Sequence, residues 1–123
     1  MPLPYPQFPK NNAREWSRIV EHFAELNHVS SCRAMEELVR YLESAGFVAA
    51  GLRGTTSMVD LLLGQTSDVL NNPHLRISPV PEGAKLTYED GSDPEWSVEV
   101  SYGALIERVE RFLIKRARWF TKS

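Results

Sequence analysis

The stretch "LRISPVPEGAKLTYEDGSDPEWSVEVSY", residues 75–102, decides the fold, because here the apolar pattern changes from the helical period to the period of two. At its end, Trp96, Val98, Val100 and Tyr102 alternate with Ser97, Glu99 and Ser101, the pattern of a strand with one buried face and one wet face. Earlier, "LRISPV" and "AKLTYE" flank the turn "PEG", and in the second of these Leu86 and Tyr88 share one face while Lys85, Thr87 and Glu89 share the other. A three-stranded antiparallel meander is predicted.

The connection between the last two strands gathers Glu89, Asp90, Asp93 and Glu95 around Gly91 and Pro94. A loop joining antiparallel strands crosses the surface, where such residues turn the chain and stay wet. Glu99 points outward from the following strand, so these five acids form the candidate partner-binding surface, suited to steering a basic protein. A calcium loop starting at Asp90 fails: Pro94 stands at its fifth position, Glu95 where glycine is needed, and Ser101 at the closing glutamate.

Upstream, the helical period rules. In "NAREWSRIVEHFAELN" (12–27), Asn12 and Glu15 have capping-box spacing and Trp16, Ile19, Val20 and Phe23 share a face. In "CRAMEELVRYLESAG" (32–46), Met35, Leu38, Val39 and Leu42 share a face, Ser30 or Ser31 is the cap, and Gly46 follows the helix. "FVAAGLRG" (47–54) fits either a strand or a buried connection. "TTSMVDLLLGQTSDVLNNP" (55–73) places Ser57 and Asp60 at capping-box-like spacing and predicts a short third helix ended by Pro73. The closing "GALIERVERFLIKRARWF" (103–120) is an amphipathic helix with Leu105, Val109, Phe112, Leu113 and Phe120 inward.

The predicted class is therefore α+β: two N-terminal antiparallel helices, a short third helix, the meander, and a C-terminal helix packed on the sheet. Residues 1–11, with four prolines in "MPLPYPQFPK", read as an extended proline-rich arm, and residues 12–123 as a single α+β domain. At 42% hydrophobic and 24% charged residues in 123, the chain is ordinary globular material that needs no disulfide scaffold. The N-terminus lacks the apolar run of a signal peptide and no stretch approaches the ~20 apolar residues of a membrane span, so a soluble cytoplasmic protein is expected.

The net charge of −2 conceals a division. Residues 55–103 carry eight acids against Arg76 and Lys85, whereas the last twenty residues carry Arg108, Arg111, Lys115, Arg116, Arg118 and Lys122 against Glu107 and Glu110. One acidic and one basic surface are expected. The basic end, with Trp119 and Phe120, has a composition that can contact phosphate, stack on bases or lie on an anionic membrane. The same cations also complement a helix C-terminus and cover apolar surface with their stems.

No phosphate-loop or dinucleotide fingerprint occurs, and His22, His28 and His74 lack metal-ligand spacing, so no cofactor and no metal are expected. Cys32, the single cysteine, lies at a helix start, a setting that can activate thiols, with His28 four residues before it. A small enzyme using Cys32 as nucleophile is one alternative. Another comes from "EELVRYLESAGFVAAGLRG" (36–54), which resembles the end of a winged-helix recognition helix running into its wing and implies a nucleic-acid-binding regulator. Against it, a groove-entering helix is basic, and this one sets Glu36, Glu37 and Glu43 against Arg33 and Arg40. The favoured reading is a small non-enzymatic protein that binds another macromolecule, of inhibitory or immunity type, covering a basic partner such as a nuclease with its acidic sheet edge.

Overall fold

In the computed structural model of the chain, the structure describes residues 7–26, 32–90 and 96–120. Two helices, α1 (Gln7–Glu25) and α2 (Arg33–Ser44), precede five strands: β1 (Arg53–Ser57), β2 (Asp60–Gly64), β3 (His74–Val80), β4 (Gly83–Glu89) and β5 (Trp96–Ser101). A 3₁₀ turn (Tyr102–Ala104) leads into α3 (Leu105–Arg111), which continues as a π-helical turn (Phe112–Arg116). The class is α+β, and the strands form one antiparallel sheet in sequence order, β1-β2-β3-β4-β5.

The sheet has five strands rather than three, because the segment read as a short third helix is a β-hairpin. Ser57 pairs with Asp60 across a turn at Met58 and Val59, and Met58 takes the left-handed φ of 57°. Three consecutive leucines obscured the strand. Leu61 and Leu63 face the helices, while Leu62 faces the other side of the sheet and is equally buried. There it lies beside the 65–73 segment, whose Val69 packs over Gly64: a Cβ at Gly64 would meet Val69 Cγ1 at 3.3 Å. A strand covered on both faces shows no alternation.

Helix α1 starts at Gln7, inside the stretch read as an extended arm, and Glu15 does not act in a capping box. Glu15 instead accepts hydrogen bonds from Arg53 Nε (3.2 Å), Arg53 Nη2 (3.0 Å) and the Gly54 backbone N–H (3.0 Å), tying α1 to the first strand. Gly54 permits the close approach, since a Cβ there would stand 2.9 Å from Trp16 Cζ3. Trp16 is fully buried and its indole N–H donates to the Val39 carbonyl of α2 at 2.8 Å.

Helix α2 follows its prediction. Met35, Leu38, Val39 and Leu42 are buried, and the helix ends in a Schellman motif around Gly46 (φ 94°), with Gly46 N–H donating to Glu43 and Phe47 N–H to Leu42. The expected caps Ser30 and Ser31 and the neighbouring His28 lie outside the described residues. Residues 45–51 are turns, so β1 begins at Arg53 and the hairpin follows α2 after this connection.

The C-terminal segment is shorter as an α-helix than its periodicity suggests. Leu105, Val109, Phe112 and Leu113 turn inward as expected, and Trp96 stacks on Phe112 (ring centroids 5.3 Å apart, 27° between planes). Val100 is buried and Trp96 and Val98 half-buried on the same side, but Tyr102 leaves the strand for the 3₁₀ turn, its hydroxyl 2.9 Å from the Val80 and Pro81 carbonyls. The inner sheet face and the three helices thus enclose one core.

Candidate functional site

The two charged surfaces anticipated from composition have different architectures. On the sheet, alternation turns Arg76, Lys85, Thr87, Glu89, Ser97 and Glu99 away from the helices. Arg76 Nη1 lies 2.8 Å from Asp60 Oδ2 on β2, and its Nε lies 3.5 Å from Glu89 Oε2 on β4, so one guanidinium links three neighbouring strands. Glu89 also approaches His74, whose Nε2 is 3.1 Å from Glu89 Oε1 without hydrogen-bond alignment. The buried His74 ring is fixed from its other side, where Nδ1 donates to the Asn72 carbonyl at 2.8 Å. Across β4 and β5, Lys85 sits opposite Glu99.

Of the five acids predicted to bind a partner, the structure therefore places three. Glu89 is the last residue of β4 rather than a loop residue, and its carboxylate is engaged by Arg76. Asp90 follows it at the surface, and Glu99 is exposed on β5, the strand at one end of the sheet order. Asp93 and Glu95 lie outside the described residues.

The basic residues converge on a cleft of about 510 Å³ between β5 and the end of α3, lined by Trp96, Arg108, Arg111, Phe112, Lys115, Arg116 and Arg118. Arg108, Arg111 and Lys115 recur at helical spacing along one face, and the following turns bring in Arg116 and Arg118. Arg116 places its guanidinium carbon 5.1 Å from the centre of the Trp96 ring. Arg118 holds a left-handed φ of 58° just beyond the helix, where the Ala117 N–H donates to Phe112 and the Trp119 N–H to Leu113. The six bases of the last twenty residues were visible in the sequence, but the meeting of five of them with Trp96 was not, because it requires the packing of α3 on β5; Lys122 lies outside the described residues.

Neither acid of α3 lines the cleft. Glu107 pairs with Arg111 at 2.9 Å on exposed surface, and Glu110 accepts from the Tyr41 hydroxyl of α2 at 2.8 Å. That hydrogen bond, then burial and the carboxylate's charge, raise the Tyr41 pKa above its ordinary 10.0. Trp119 and Phe120 are half-buried packing residues: Phe120 meets Phe47 edge-on with centroids 5.4 Å apart, and Trp119 packs near Tyr88 and Phe112.

Cys32 sits at the N-cap of α2, buried to 1% exposure, and makes no side-chain cap. Among the described residues, no group of three or more His, Cys, Asp or Glu side chains is arranged to hold a metal ion, and no helix is long and apolar enough to cross a membrane. No known protein family, curated protein or solved structure matches this chain.

Proposed function

We propose that the chain is a non-enzymatic binding protein that docks a basic protein partner on the open face and outer edge of β4 and β5, in the manner of an inhibitor or immunity protein. The observation that carries this reading is the charge of the sheet half. Within residues 55–103 eight acids stand against two cations; Arg76 is ion-paired with Asp60 and Glu89 and Lys85 sits opposite Glu99, so an acidic surplus is left to act outward. Strand β5 has a strand neighbour on one side only, and an edge of this kind offers backbone donors and acceptors to a partner. Exposed acids at such an edge speed encounter with a basic surface.

Support for a thiol enzyme is weaker, since Cys32 is sealed from solvent. For the winged-helix reading, a hairpin does follow α2, but α2 turns its apolar face into the core and pairs Arg40 with Glu36, leaving no basic stripe for a groove.

The test is retention of partners from a native cell extract at low salt on three immobilised proteins: the native chain, Glu99→Lys, and a quadruple variant (Glu89→Gln, Asp90→Asn, Asp93→Asn, Glu95→Gln). A basic protein held by the native chain, released steeply with salt and lost from both variants, is the expected result. Equal retention by all three sinks the acidic-edge reading, and retention of duplex DNA would favour the regulator instead.

A further inference from the structure

The cleft beside α3 stands apart from the acidic sheet face, and we infer that it is a binding site for a compact polyphosphate-bearing ligand. Five cations line a cavity of about 510 Å³, a volume in the range of small-molecule sites, with no carboxylate lining it among the described residues. Among the described residues, Arg108, Lys115, Arg116 and Arg118 take part in no ion pair. Concentrating like charges opposes folding, and among the described residues only the exposed Glu107–Arg111 pair sets a carboxylate against these cations.

The geometry specifies the ligand's chemistry. Arg108 to Lys115 spans about 10 Å of helix, longer than one phosphate can bridge. The cations also reach the cleft from the helix face, from the π-helical turn and from the left-handed residue beyond it. Such a spread matches oxygens radiating from several tetrahedral groups, whereas a planar carboxylate is satisfied by one guanidinium fork. Arg116 is preorganised, because its place over the Trp96 ring limits its motion while the residue stays exposed.

The aromatics argue against a nucleic-acid strand. Trp96 has Phe112 stacked on it and the Arg116 guanidinium over its ring, so it offers no free stacking platform for bases. A long polyanion would also have to pass the acidic sheet half.

Arg118 provides a further sign of function. A left-handed φ is strained for a residue with a Cβ and natural for glycine, so an arginine held there keeps a side chain at the cost of local stability.

The test is calorimetric titration of the full chain with inorganic tripolyphosphate at fixed ionic strength, beside orthophosphate and a single-stranded 12-mer oligonucleotide. Saturable one-to-one binding of tripolyphosphate is expected, at least tenfold tighter than orthophosphate and tighter than the oligonucleotide. Lys115→Gln and Arg116→Gln should each weaken it about tenfold, the scale of one charge-assisted contact. Arg118→Gly should also weaken binding while keeping or raising Tm, which separates recognition from folding. Absence of saturable binding, equal binding by the variants, equal affinity for orthophosphate, or tighter binding of the oligonucleotide would each overturn the assignment.

Discussion

The outer face of the sheet and the cleft beside α3 are both crowded with charge, but the charges stand in opposite relations to their surroundings. On the sheet, Arg76 joins Asp60 and Glu89 across three strands, and Lys85 faces Glu99. In the cleft, of the five lining cations only Arg111 has an ion-pair partner among the described residues, and that pair is exposed. The Arg76 contacts cross-link neighbouring strands and so belong to folding. The second arrangement sets four cations without an ion-pair partner among the described residues around one cleft, and it points to something outside the chain.

The comparison is sharpened most by removing the wall that the cations share. Trp96→Ala should cost about 2 kcal/mol in denaturant unfolding, roughly half the value for a fully buried aromatic, since the ring is only partly covered. A loss below about 0.5 kcal/mol would mean that the stacking on Phe112 contributes little and that the cleft has no fixed wall.

Tyr41→Phe tests the carboxylate that α3 keeps away from the cleft. Losing the hydrogen bond to Glu110 should cost about 1 kcal/mol at neutral pH. Because the folded-state pKa of Tyr41 is raised, its contribution is complete below pH 10.0, the unfolded value, and is lost as pH rises through the folded one. The native chain should therefore lose stability more steeply than the variant above pH 10.0, and parallel curves would show that the contact does not persist in solution. The smallest effect belongs to the sheet edge: Glu99→Lys opposes Lys85 with a like charge and should cost about 0.5 kcal/mol, shrinking with added salt.

What the sequence disclosed follows the same physical lines. Helix α2 was legible because one face is dry, the other wet, and Gly46 supplies the left-handed stop. Strands β3, β4 and β5 were legible over most of their length, since sheets wet on one side alternate. The hairpin β1–β2 was hidden for two reasons. Leu61, Leu62 and Leu63 are covered on both faces, and the turn at Met58 uses neither Gly nor Asn to announce its positive φ. That turn is met from α1, where His22 Nε2 donates to the Met58 carbonyl at 2.7 Å, a contact between residues 36 positions apart.

Legibility of the candidate site divides in the same way. The acidic run is local and could be named residue by residue, although Glu89 proved to be committed to Arg76. The cleft joins Trp96 to cations twelve to twenty-two positions later, and no local period encodes a contact that depends on how α3 lies against β5.

Urea unfolding of Arg76→Met beside Lys115→Met tests most directly whether the Arg76 cross-link holds the sheet while cleft charges are free for a ligand. Arg76→Met should lose about 2 kcal/mol, because it leaves Asp60 and Glu89 without their shared half-buried partner, and Lys115→Met should stay within about 0.5 kcal/mol of the native chain. Equal losses in the two variants, or a larger loss at Lys115, would contradict that division.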